Sequence, residues 1–137
     1  MISPTGKGIR RDSKGSGLWG APRGTRNHMG VDFLCEPDQI IYAPFKMEIY
    51  RESRPYSDDH KYTGVAWRTA IMDGRMFYFV PYATVVGGTV LEDQAIGTAQ
   101  NIAEKYGKNM LPHIHFEIKS IDPLVIMDLL RDIKKFL

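Results

Sequence analysis

A chain of 137 residues with 43% hydrophobic and 11% aromatic side chains can bury one sizeable core but not two, which excludes both a disordered and a multidomain protein. Its net charge of +2 is too mild to imply a nucleic-acid partner, and a single cysteine, Cys35, excludes an intrachain disulfide and a thiolate metal site. Met1-Ile2-Ser3-Pro4 leads straight into polar sequence with no apolar h-region, and no later run is long enough to span a bilayer, so neither a signal peptide nor a membrane span is expected.

Residues 1–27 hold two prolines and six Lys or Arg in a glycine-rich setting, a composition of loops. Residues 1–18 read as a basic arm with the composition of a flexible, solvated segment. Trp19 and Pro22 read as a part that packs on the following domain, residues 19–123, and forms one wall of a groove. His28 and Asp32 stand four residues apart, the spacing of one helix face, but Gly30, Val31 and Phe33 are poor helix formers. On an extended strand their Cα atoms lie roughly 13 Å apart, too far to share a metal held at ~2 Å from each ligand atom. A bend at Gly30 removes both difficulties and lets Asp32 open a strand.

Residues 40–51 read as a strand pair about Ala43-Pro44, with Ile40, Tyr42, Met47 and Ile49 alternating in the core. Residues 53–63 form a polar loop carrying His60, an ordinary position for a solvated side chain. Residues 64–72 and 75–80 flank Asp73-Gly74, a hairpin signal because both turn positions tolerate positive φ. Short strands over 84–90 and 94–98 follow, then a loop or one short helix over 100–109. Residues 111–118 read as a strand that projects His113 and His115 from one face, their Cα atoms roughly 6–7 Å apart, and sends Ile114 and Phe116 into the core. Asp122 and Pro123 start a helix over 124–137, in which Ile126, Leu129, Leu130, Ile133 and Leu137 recur at helical spacing and Lys134 and Lys135 complement the dipole. Such a stripe is expected to pack on its own domain.

Histidine is the commonest metal-binding side chain and a proton-transfer group near neutral pH. His28 with Asp32, and His113 with His115, place two types of zinc ligand in two separate stretches. His28-x-Gly30-x-Asp32 followed downstream by His113-x-His115-Phe116-Glu117 resembles the lysostaphin-type (M23) zinc metallopeptidases, over roughly residues 19–123. Within that family, Gly30-Val31-Asp32-Phe33-Leu34-Cys35, Tyr42-Ala43-Pro44-Phe45, Met76-Phe77-Tyr78 and Asp122-Pro123 resemble the leukocyte-derived chemotaxin branch, a group of binding proteins.

The resemblance implies a mainly β fold with an antiparallel sheet, loops around a zinc groove, and one Zn²⁺ per chain held by His28, Asp32 and His115. It makes His113 the catalytic histidine and points to Trp19, His60 and Tyr78 as groove residues meeting a substrate. Three protein ligands leave a fourth position open, as in catalytic zinc sites. The implied reaction is hydrolysis of peptide bonds in bacterial peptidoglycan. The protein carrying it out would be a lysin freed by lysis or borne by a phage particle, whose arm and C-terminal helix meet other virion proteins. One departure opposes that reading. The family's second active-site histidine has no counterpart in Tyr78-Phe79-Val80-Pro81, where Val80 stands at its expected place and His60 is the remaining candidate substitute. The alternative is a catalytically impaired zinc-binding module with a structural or chemotaxin-like binding role. Glu117 reads as a strand-end charge or a hydrogen-bonding support for a ligand rather than as a general base.

Overall fold

A computed structural model of the protein describes residues 1–134. The N-terminal part contains β1 (Arg11–Asp12), β2 (Gly15–Ser16), β3 (Pro22–Arg23) and β4 (Arg26–Asn27). The body continues with β5 (Val31–Leu34), β6 (Ile40–Tyr42), β7 (Met47–Ser53), β8 (Gly64–Arg68), β9 (Met72–Phe77) and β10 (Phe79–Pro81). It is completed by β11 (Gly88–Val90), β12 (Ala95–Ala99), α1 (Ala103–Tyr106), β13 (His113–Ile121) and α2 (Pro123–Lys134). β1 pairs with β2 and β3 with β4, and the body forms a six-stranded sheet ordered β11-β7-β8-β9-β13-β5 and a three-stranded sheet ordered β10-β12-β6. Every pairing is antiparallel, so the fold is mainly β with a C-terminal helix, as the sequence predicts.

Ile49, Trp67, Met76 and Ile114 of the large sheet share one buried cluster with Ile41, Phe79, Ile96 and Ala99 of the small one. Removing each larger side chain from water contributes about 1.5–3 kcal/mol. Trp67 stacks on Phe116 at 5.4 Å, and Phe45 meets the two rings edge-on at 5.2 and 6.0 Å. Tyr78 joins the sheets: its φ of 79° breaks the strand path between β9 and β10.

Several expectations are corrected. The β8–β9 turn lies at residues 69–71, where Thr69 Oγ1 accepts from the N–H groups of Ile71 and Met72, both at 3.2 Å. Asp73 and Gly74 instead lie inside β9, opposite Arg68 and Trp67. Gly74 is there for space, since a Cβ would lie 2.0 Å from the Glu117 carbonyl oxygen and 2.6 Å from the Trp67 ring. β6 and β7 do not pair with each other; β6 joins β12, while β7 joins β8 and β11. The phase of β6 is also opposite to that expected: Ile41 and Ala43 are buried and Ile40 is exposed.

The basic arm is tied to the body rather than solvated. The N–H groups of Leu34 and Tyr42 donate to the carbonyls of Gly8 and Pro4 at 2.8 and 3.0 Å, and Ile2 donates to Pro44 at 2.9 Å. The helix exists, but the stripe of α2 does not pack on the domain, for Ile126, Leu129, Leu130 and Ile133 are all exposed. Lys135 and Leu137 lie outside the described residues. Among the described residues no helix is long and apolar enough to cross a membrane.

Candidate functional site

Antiparallel pairing of β5 with β13 puts Asp32 opposite His115. His28 arrives from the loop after β4, and the chain bends at Gly30 as expected. A Cβ on Gly30 would lie 2.5 Å from both His115 Cε1 and the Phe116 carbonyl oxygen, so only glycine lets the bend pass this close to the ligand strand. The outcome is that His28, Asp32 and His115 bring ligand atoms within 4.8 Å of one another.

The individual separations are shorter. His28 Nε2 lies 3.2 Å from His115 Nδ1 and 3.2 Å from Asp32 Oδ1, and His115 Nδ1 lies 3.0 Å from Asp32 Oδ1. Four ligands at about 2.0 Å from a tetrahedral zinc are about 3.3 Å apart, so the triangle is close to metal-binding size. The outer hydrogen bonds also suit it. His28 Nδ1 faces the Leu18 carbonyl oxygen at 3.0 Å, which requires a proton on Nδ1 and turns the Nε2 lone pair into the triangle. His115 Nε2 faces Glu117 Oε1 at 3.7 Å, so an Nε2–H tautomer likewise frees Nδ1.

Burial pushes the Asp32 carboxyl up, but the facing His115 and His28 rings, which donate to it when they carry a second proton, outweigh it and hold Asp32 well below the usual carboxylate range. Burial pushes His115 down, yet its bonds to Asp32 and Glu117 win and raise it above an ordinary imidazole. Three electron-rich atoms therefore converge on a point that attracts a proton or a metal cation. The residues fit a divalent ion with mixed nitrogen and oxygen preference.

His113 lies on the same strand face, 3% exposed, outside the triangle. Its Nδ1 donates to the Leu111 carbonyl at 2.8 Å and its Nε2 stands 3.7 Å from Asp32 Oδ2. Burial is the main force lowering its pKa, so the ring is neutral near pH 7.

Arg10 is the functional residue the sequence reading misses. It is 1% exposed, its Nε donates to Asp32 Oδ2 at 3.2 Å, and one of its terminal nitrogens contacts both carboxylate oxygens of Asp12 at 2.8 Å. Asp12 also accepts the N–H groups of Lys14 and Leu111, both at 2.8 Å. Arg10 thus links the arm to the carboxylate of the triangle and to the entry of β13. No local pattern marks it among six basic residues in a glycine-rich stretch.

The triangle opens into a groove of about 730 Å³. Tyr56, Tyr78 and Tyr106 form one wall, with the Tyr56 hydroxyl 3.1 Å from that of Tyr78 and 2.6 Å from that of Tyr106. The Tyr78 ring stands edge-on to His113 at 5.4 Å. Tyr78 therefore lines the groove, whereas the other two expected substrate contacts do not. Trp19 is 71% exposed and outside the groove lining. His60 is exposed, with Nε2 turned to the Ser57 carbonyl at 3.0 Å, so its loop does not bring it over the triangle. Val80 is 50% exposed in the small sheet, opposite Thr98, and also absent from the groove. The kink at Tyr78 sends Val80 away and leaves the phenol as the side chain this segment offers His113. Glu117 is buried against Arg75, whose Nε and a terminal nitrogen lie 3.1 and 3.0 Å from Oε1, in keeping with a supporting role.

Fold and triangle define a mainly β domain with, among the described residues, one candidate metal centre at the base of a groove. No family model matches the chain. The chain is similar to leukocyte cell-derived chemotaxin-2 of Mus musculus, with 30% identity over 123 residues covering 82% of this chain and 74% of that protein. It is also 30% identical over 118 residues to the same protein of Bos taurus, covering 85% and 76%. The chain belongs to the leukocyte cell-derived chemotaxin-2 family.

Proposed function

We propose that this chain is an M23-like zinc-binding module whose catalytic machinery is impaired and whose groove binds a partner without cleaving it. The observation that carries the reading is that Tyr78 stands beside His113, while Val80, where the resemblance calls for a second histidine, lies outside the groove lining. All four histidines are accounted for, and only His28, His113 and His115 reach the groove. Burial pushes the Tyr78 phenol up to about 12, so it donates a hydrogen bond at neutral pH but does not exchange a proton as an imidazole does. The name of the relatives, a chemotaxin, describes a protein that acts by being bound, which supports the same reading.

His28, Asp32 and His115 would hold the ion, Arg10 and Glu117 orienting Asp32 and His115. Zinc in a three-ligand site supplies Lewis acidity, and lowers the pKa of a coordinated water toward 7. A second reading, a slow peptidase on peptidoglycan peptides, is favoured by His113 alone, a neutral imidazole with Nε2 turned to the site. Losing one catalytic hydrogen-bonding group costs about 10²–10³ in rate.

Two measurements test the proposal. The purified protein should contain one zinc, lost in Asp32→Ala, and should release no soluble fragments from labelled peptidoglycan. Chelator-sensitive release of fragments would move the chain to the peptidases, and full zinc in Asp32→Ala would remove the ligand assignment.

A further inference from the structure

The groove is basic and borders an unfinished strand edge. β13 pairs with β5 only from His113 to Phe116, because β5 begins at Val31 opposite Phe116. Beyond that point, among the described residues, β13 pairs with β9 alone. The vacated side is fixed by two contacts: the Pro112 carbonyl accepts from Cys35 N–H at 3.1 Å, and the Phe116 carbonyl oxygen lies 2.5 Å from where a Gly30 Cβ would stand. Backbone groups alternate sides along a strand, so the N–H and C=O of Ile118 face that same side. Among the described residues no strand pairs with them, and Ile118 and Lys119 both line the groove.

Charge points to the occupant. Six lining residues are Lys or Arg, against two that are Asp or Glu. Arg10 and Arg75 are paired with Asp32 and Glu117. Lys14, Arg26 and Lys119 have no side-chain hydrogen bond or ion pair among the described residues. Together with the tyrosine wall this is a cleft with free positive charge, aromatic surface and one open backbone edge.

We propose that the groove binds an extended acidic peptide, laid as an added strand against β13 at Ile118 with its carboxylates on Lys14, Arg26 and Lys119. The inference rests on the reading of the chain as a binding module and names the ligand class of that site. Strand addition draws affinity from main-chain bonds that any peptide offers, so the surrounding charge sets selectivity. A polyanionic glycan satisfies the cations but has no strand ladder to offer Ile118.

The test is fluorescence anisotropy of the zinc-loaded full chain with a dye-labelled peptide of alternating Glu and Thr, its Lys-for-Glu counterpart, and a sulfated oligosaccharide. The Glu peptide should bind at least about tenfold tighter than the Lys peptide and weaken as salt rises. Arg26→Glu combined with Lys119→Glu, both on exposed side chains, should weaken it by about tenfold or more. Ile118→Pro removes the outward donor without taking one from the β9 ladder and should do the same. If that variant unfolds by circular dichroism, the charge-reversal pair still decides the matter. Equal binding of the Glu and Lys peptides, or no binding of either, overturns the proposal. So does an oligosaccharide that binds more tightly than the Glu peptide and is indifferent to Ile118→Pro. Zinc content and peptide integrity, read on the same samples, report on the binding-module reading separately: cleaved Glu peptide with its preference intact ends that reading and leaves the ligand class standing.

Discussion

Replacing Arg10 with methionine removes a buried guanidinium of similar length and leaves two carboxylates behind. Breaking a buried ion pair by deleting one partner costs about 3–5 kcal/mol, because the remaining charge is uncompensated. Here the loss falls at the lower end, about 3 kcal/mol, since Asp12 keeps the N–H groups of Lys14 and Leu111, and Asp32 keeps His28 and His115. Asp32 Oδ2 is then left with the longer contacts to Arg23 and His113, both at 3.7 Å, and loss of a group that orients a ligand weakens metal affinity about 10–100-fold. That is about 1.4–2.7 kcal/mol, which appears as reduced stabilisation by saturating zinc. Urea unfolding of metal-free and zinc-loaded protein, combined with competition against a chromophoric chelator, measures both parts. Arg10→Lys keeps the charge but not the planar fork, and should fall between native and Arg10→Met. A metal-free loss below about 1 kcal/mol with zinc affinity within about twofold of native would refute the reasoning, since it would mean that Asp32 does not depend on the arm.

Tyr78→His should raise hydrolysis of peptidoglycan peptides above background, whereas Val80→His should not, because only position 78 lines the groove; a gain confined to Val80→His contradicts the placement of these strands. Gly74→Ala should destabilise the fold by several kcal/mol, since its Cβ would stand 2.0 Å from the Glu117 backbone, which cannot yield as a side chain can; a thermal midpoint equal to native would show that β9 and β13 are not packed this closely. Burial pushes the Cys35 thiol up to about 12. At pH 8 only about one native molecule in 10⁴ carries the thiolate, so a thiol reagent should label Cys35 slowly in native protein and promptly in denaturant; equal rates would place Cys35 outside the core.

The sequence was most legible where one residue type dictates one local geometry. Two histidines spaced by one residue on a strand must share a face, and glycine between His28 and Asp32 must bend the chain, so the members of the triangle could be named from spacing and family resemblance. It was least legible where one residue serves opposite ends. Glycine after aspartate suits a turn, yet Gly74 is needed because Trp67 and β13 leave no room for a side chain. Ile40, Ile41 and Tyr42 are all suited to a strand, and only the facing sheet selects Ile41 for the core.

The sequence by itself determined a mainly β chain with one core, a loop-borne His28, a strand-borne His115 and a helix from Pro123, because periodicity, glycine and proline act within a few residues. Tertiary structure decided that Arg10 supports Asp32, that Tyr78 rather than Val80 or His60 stands beside His113, and that among the described residues no strand covers the β5 side of β13 at Ile118. Each depends on elements distant in sequence meeting in space: the arm folding back onto β5, the left-handed kink at Tyr78 passing the chain between sheets, and β5 ending short of the strand it pairs with. Side-chain type marks none of these meetings, since they follow from the register in which the strands pair.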